Sequence, residues 1–281
     1  MSWHGHLDLH YQRQGHRTTA LDRHDGPLRV LQRLYPEGDA ICHHVLVHPP
    51  GGLVGGDTLE LAARLDTGTH ALITTPGATR YYRSAGGEAT QFVHATLADN
   101  ARLEWLPLES IAYPACQAVN RMRFDLAPSA QMMGWDIVAL GLPAAGQEFD
   151  GPSAAPGHFT QEIELPGVWL ERGTIRSQDS LLLDSPVGWA GNRVMATLWL
   201  AAGSAVERPL AHALLEASRE LVVQSPLAST GGCTQPHDQV LVVRVLADRV
   251  EPAMALLTRI WASWRTLAWG VPACPPRVWR T

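Results

Sequence analysis

The chain has 281 residues, 46% of them hydrophobic and 17% charged, a balance that suits a large apolar core and excludes disorder. A net charge of -5 and a pI near 6.2 provide no general attraction to nucleic acid or anionic lipid. All 22 cationic residues are arginine, which excludes Schiff-base, P-loop and general-base chemistry that depends on lysine.

Residues 3–11 alternate Trp3, Gly5, Leu7, Leu9 and Tyr11 with His4, His6, Asp8 and His10, the period-2 pattern of a half-buried strand. Further strands are predicted over 40–48, 71–75, 90–97, 102–106, 121–126, 132–140, 159–165, 168–175 and 180–183, with Gly, Pro, Asn or Asp in nearly every gap. Residues 141–158 read as a loop. Pro209 then opens a helix carrying Leu210, Leu214, Ala217 and Leu221 at helical spacing. After a strand over 240–246, Pro252 opens a second helix with Met254, Leu257, Trp261 and Trp264 on one stripe and Leu256, Ile260 and Leu267 beside it.

The predicted fold is mainly β: stacked, layered or β-helix-like sheets, closed by a strand–helix–strand–helix segment with two C-terminal helices. Residues 1–281 read as one domain, 1–200 mostly β and 201–281 containing the helices. No fixed-period repeat is legible. Cys42, Cys116, Cys233 and Cys274 are scattered without a C-x-x-C pair. The start, Met1-Ser-Trp-His-Gly-His, lacks a basic region leading into an apolar run, and no segment reaches the roughly 18 apolar residues that span a bilayer. A cytoplasmic protein with reduced thiols is expected.

Four stretches carry chemistry-bearing residues. In His48-Pro49-Pro50-Gly51-Gly52-Leu-Val-Gly55-Gly56-Asp57 the prolines end a strand and the glycines permit positive φ and close backbone approach. The run is one residue from a P-loop, but Asp57 stands where a phosphate site needs a cation. Downstream of Pro76-Gly77, the residues Arg80, Tyr81, Tyr82, Arg83 and Ser84 read either as a contact surface or as a solvated turn. Glu104 and Glu109 flank a Trp-Leu-Pro segment, as a general acid/base pair on a β scaffold or as two surface carboxylates. Eight of the 13 histidines lie in the first 48 residues; Cys42 and His48, beside the glycine-rich corner, are candidate metal ligands. There is no G-x-S-x-G elbow and no recognisable nucleophilic cysteine.

Together these segments resemble the UreD (UreH) family of urease accessory proteins. The likeness runs through Gly26-Pro-Leu-Arg-Val30, Tyr35-Pro-Glu-Gly38, the run from His48 to Asp57, and Thr74-Thr-Pro-Gly-Ala-Thr-Arg-Tyr-Tyr-Arg-Ser84. It continues through Leu103-Glu-Trp-Leu-Pro107, Trp135-Asp136, Leu140-Gly141, Glu171-Arg172 and Pro276-Arg-Val-Trp-Arg-Thr281. Departures occur at Leu108, where the family often has Gln, at Leu142, where it often has Arg, and at Gly146-Gln-Glu148-Phe149, where the acid is moved by one position. The resemblance implies a protein that is not an enzyme and holds no tight cofactor. It implies partners UreF, the GTPase UreG and apo-urease, and allows a homodimer within the accessory complex. It further implies transient Ni2+ moving through an internal water-filled passage, with Asp57, Asp136 and Glu171 matching the family's interior acids. Arg80, Tyr81, Tyr82, Arg83 and Ser84 would then shape a partner surface or the passage wall.

Overall fold

A computed structural model describes residues 2–151 and 155–280, so part of the loop expected over 141–158, along with Met1 and Thr281, lies outside the described residues. In chain order the first strands are β1 (His4–Gln14), β2 (Arg17–Asp25), β3 (Arg29–Leu34), β4 (Ile41–Val47), β5 (Thr58–Leu65), β6 (His70–Thr74), β7 (Thr79–Tyr81), β8 (Ala89–Leu97) and β9 (Arg102–Trp105). There follow β10 (Ser110–Ala112), β11 (Gln117–Leu126), β12 (Gln131–Leu140), β13 (His158–Leu165), β14 (Trp169–Arg176), β15 (Val194–Ala202), β16 (Gly231–His237) and β17 (Val240–Ala247). The helices are α1 (Ser180–Asp184), α2 (Arg208–Val223) and α3 (Val250–Trp269).

From β4 to β13 the chain winds between two facing sheets, laying one long strand on each in turn. One sheet has the order β14-β13-β11-β8-β5-β1-β2 and the other β16-β17-β15-β12-β9-β6-β4-β3, with β7 and β10 attached to its flank. Every pairing among β1, β5, β8, β11 and β13 is parallel, as are those among β4, β6, β9 and β12. The result is a stack of solenoid-like coils, tied at the turns by bonds such as Ala98 N to Leu65 O (2.9 Å) and Ala127 N to Leu97 O (2.9 Å). The mainly β, stacked-sheet expectation is met.

The two sheets differ in what covers them, and their sequences follow. Strands β1 and β5 bury every second residue because one face of their sheet meets water. Strands β4, β6 and β12 are buried on nearly every residue, since one face looks into the solenoid and the other lies under helices. Leu7, Leu61, Val93, Met122 and Ile163 fill the space between the sheets from the open sheet. Each such side chain stabilises the fold by roughly 1.5–3 kcal/mol. A second core, with Trp135, Leu198, Val243, Leu257, Ile260 and Trp264, joins the covered sheet to α2 and α3.

Two local expectations are corrected. Residues 180–183 form helix α1 rather than a strand: Asp179 accepts a bond from Leu182 N (3.0 Å), an N-cap that turns a short apolar run helical. Among the described residues there are thus three α-helices, the two expected C-terminal ones plus this single turn. Where one strand was expected between α2 and α3, an antiparallel hairpin of β16 and β17 stands. The first of these, Gly-Gly-Cys-Thr-Gln-Pro-His, has little strand propensity and is tolerated because it is an edge, where Pro236 removes no needed donor. Among the described residues no helix is long and apolar enough to cross a membrane.

Candidate functional site

The two motifs that stand out in the sequence dock on each other. Leu53 N donates to Arg80 O (2.7 Å) and Tyr82 N to Leu53 O (2.8 Å), so the glycine-rich corner and the Arg80–Ser84 segment share a short parallel bridge. Gly51 and Gly56 have φ of 78° and 92°, the left-handed region that favours glycine. Gly52 and Gly55 serve closeness instead. A Cβ on Gly52 would press on the Tyr82 ring and lie 2.8 Å from Arg80 O; one on Gly55 would meet Ser84 and lie 2.7 Å from Gly86 O. Pro49 and Pro50 are exposed at the strand end. Asp57 is buried, and its two carboxylate oxygens accept from Trp3 N (3.2 Å) and Val54 N (3.0 Å), which closes the corner.

Beside this corner lies a cavity of about 240 Å³ lined by His48, Gly51, Gly52, Leu59, Leu61, Arg80, Gln91 and Trp105, among others. Burial pushes the His48 imidazole below its usual pKa. Its Nε2 and the Trp105 Nε1 are buried without a protein partner. Tyr81 points its ring onto Phe159 (5.3 Å between centroids), and its hydroxyl is likewise unpartnered. Arg80 and Arg83 are exposed, and Tyr82 packs on Tyr113 at 5.0 Å.

Polar side chains continue from the cavity into the space between the sheets. Gln91, Asn120 and Gln161 occupy one register across β8, β11 and β13. On the opposite sheet Asp136, Thr197 and Arg244 occupy one register across β12, β15 and β17. Two polar rows therefore face each other inside an otherwise apolar interior. Gln91 Nε2 donates to Asn120 Oδ1 (3.2 Å), Asn120 Nδ2 to Asp136 Oδ1 (3.5 Å), and Gln161 Nε2 to Asp136 Oδ2. Arg244 Nε donates to Thr197 Oγ1 (3.3 Å), and its Nη2 pairs with Glu171 on β14. Gln161, Glu171 and Arg244 line an open cleft at the far end, with Trp169, Leu182, Trp189 and Met195.

Asp136 has a shifted titration. It is 3% exposed, and burial pushes its pKa up to about 7; the Gln161 bond works against this and the charge of Glu171 adds to it. Tyr81 feels the same site: burial, then the nearby Asp136 charge, raise its pKa well above the ordinary value.

Of the acids singled out by resemblance, Asp136 and Glu171 join this polar line, while Asp57 sits at the corner. Gln91, Asn120, Gln161 and Arg244 were not anticipated. Their legible signal is a polar residue at an inward position of a strand whose other inward residues are apolar, as with Asn120 between Ala118 and Met122. Cys42 lies on β4 and His48 directly follows its end. The Cys42 thiol is fully buried and pushed up by burial. Among the described residues no group of three or more His, Cys, Asp or Glu is placed to hold a metal. His4, His10 and His94 instead pair with Glu60, Asp66 and Asp125 at 3.1, 2.9 and 2.6 Å on the water-facing sheet. Glu148 is exposed.

Glu104 lies on the other face of the covered sheet, fully buried, and accepts from His70 Nε2 (2.7 Å), Trp261 Nε1 (2.7 Å) and Arg265 Nε (3.1 Å). Arg265 also grips Glu37 with two nitrogens at 2.7 and 2.8 Å, and Glu37 meets His43 at 2.6 Å. This ionic knot fastens α3 to the coils and occupies the carboxylate that a Glu104–Glu109 acid/base pair would need free.

A family model described as UreD urease accessory protein matches residues 4–280. The urease accessory protein UreD of Leptothrix cholodnii is 61% identical over 283 aligned residues, covering 100% of both chains. That of Paracidovorax citrulli is 56% identical over 99% of each chain, and that of Methylibium petroleiphilum 51% identical over 100% of each. With the coiled double sheet and the ordered motifs in place over its whole length, the chain belongs to the UreD family of urease accessory proteins.

Proposed function

We propose that this protein acts in the cytosol as a non-enzymatic scaffold that joins UreF and UreG on apo-urease and lets nickel pass along a hydrated route between its two sheets. One observation carries the reading: the facing rows Gln91-Asn120-Gln161 and Asp136-Thr197-Arg244, which run from the cavity at the glycine corner to the cleft at Glu171. A bare divalent ion cannot cross an apolar core, because its desolvation far exceeds what packing returns. Amide oxygens, a carboxylate and water lower that barrier. Ligands must also let go, so a spaced set of weak oxygen donors suits transit better than a thiolate cage.

Support comes from the unpartnered buried atoms. Among the described residues these are His48 Nε2, Tyr81 Oη, Trp105 Nε1 and Trp199 Nε1, and the last three belong to side chains of the core between the sheets. Buried polar atoms are satisfied by water when protein does not satisfy them. In this reading Asp136 and Glu171 are the transit acids, Asp57 shapes the entrance, and Arg80, Tyr82 and Arg83 offer a partner surface beside it.

The test is urease activation in a reconstituted mixture with Asp136→Asn. The expected result is activation reduced by at least about tenfold with the accessory complex still formed, the order that loss of one group around a metal produces. Normal activation by that variant would leave a pure assembly scaffold that holds apo-urease open, for which only surface changes at Arg80, Tyr82 or Arg83 abolish activity.

A further inference from the structure

We propose that Arg244 is a gate on the interior route: it holds Glu171 in a closed ion pair at the cleft, and a divalent cation passes only when the guanidinium swings off Glu171 into solvent. This rests on the cation-transit reading above and adds a control element to it.

The geometry sets up a competition. Among the described residues lining the cleft Glu171 is the only carboxylate, so it is the one anionic ligand there for a divalent cation. Arg244 Nη2 is already on its Oε1. A guanidinium stays charged at any physiological pH, so the occupied state presents a fixed positive charge where the cation must arrive. Arg244 Nε is anchored on Thr197 Oγ1 at 3.3 Å, and Thr197 is the register partner of Asp136. The gate therefore stands one residue away from the innermost acid.

The pair is also able to open. The Arg244 side chain is 42% exposed and that of Glu171 is 22% exposed, so the guanidinium has water on one side to receive it. Other nearby cations are engaged elsewhere: Arg172 Nε lies 3.2 Å from Glu162. A half-exposed ion pair is weak, and a doubly charged ion at the same carboxylate outcompetes a single charge. The pair is thus strong enough to exclude monovalent cations and weak enough to yield to a divalent one.

Nickel titration of the full-length chain by calorimetry tests this, with Arg244→Gln, Arg244→Lys, Glu171→Gln and the Arg244→Gln/Glu171→Gln double variant, each checked for its melting temperature. Arg244→Gln should tighten Ni2+ binding by about two- to fivefold, the worth of one partly exposed pair. Arg244→Lys, which keeps the charge without the fork, should remain near the parent, and the double variant should lose the gain. Unchanged or weaker nickel binding by folded Arg244→Gln would overturn the gate, as would a double variant that binds as tightly as Arg244→Gln. If Arg244→Gln does not fold, Arg244→Met takes its place: it removes the charge while keeping most of the apolar stem and should tighten Ni2+ binding by the same factor, and unchanged or weaker binding overturns the gate. The route itself fails separately, when Asp136→Asn activates urease normally. The gate fails alone when Asp136→Asn blocks activation and the arginine variants bind nickel like the parent.

Discussion

Asp136 combines a carboxyl group, near-complete burial and two amide neighbours, and each part affects the others. Asn120 and Gln161 donate to its oxygens, yet burial still dominates and lifts its pKa from 3.8 to about 7. Between those pH values the folded protein keeps a proton that the unfolded chain has lost. Stability contributed by this group is therefore full below about 4 and declines as pH rises toward 7, with a slope approaching about 1.4 kcal/mol per unit. Urea unfolding of the parent and Asp136→Asn from pH 4 to pH 8 should show the difference between them shifting in favour of the variant up to pH 7 and then levelling. A constant difference across that range would refute the shifted titration. The same proton matters to transit, since only the ionised form attracts a cation.

At the scale of elements, α3 is held by charge as well as by its apolar stripe. Arg265 is fully buried; burial alone would lower its pKa, but its bonds to Glu37 and Glu104 prevail and raise it. The helix ends at Gly270, whose φ of 64° turns the chain back so that Pro272 O accepts from Arg265. Trp279 then returns to pack on Trp135 and Trp261 at 5.1 and 5.7 Å and donates to Thr74 Oγ1 (2.8 Å). Arg265→Met leaves Glu37 and Glu104 buried without their cation and should destabilise by about 3–5 kcal/mol, read as a fall in melting temperature. Adding Glu37→Gln and Glu104→Gln should recover part of the loss. A lone Arg265→Met that melts with the parent would show the knot to be dispensable.

Across the whole molecule, the two sheets separate three environments: water outside the open sheet, a mixed interior between the sheets, and a dry layer under the helices. Of the four unpartnered buried polar atoms among the described residues, three belong to side chains of the mixed interior. A crystal structure at about 2 Å should therefore place ordered water within hydrogen-bond distance of Tyr81 Oη, Trp105 Nε1 and Trp199 Nε1, the usual fate of such groups. A dry interior at all three would contradict a hydrated route.

The family, the mainly β class, the alternating strand β1 and the two long helices are legible along the chain, because they are written in local order: period 2, period 3.6 and contiguous motifs. The glycine corner and the Arg80–Ser84 segment are legible there too, though their contact is not. Strands β5 and β15 lie outside the predicted strands, and residues 180–183 carry a strand-like run yet form α1, since short apolar runs do not state their own period. Which polar residues meet is set by strand pairing between distant segments. Gln91, Asn120 and Gln161 are unequally spaced in the chain, with loops of differing length between coils, so no repeat announces that parallel pairing will bring them into one row. The Arg244–Glu171 pair spans β17 and β14 of different sheets, a contact that no local pattern encodes.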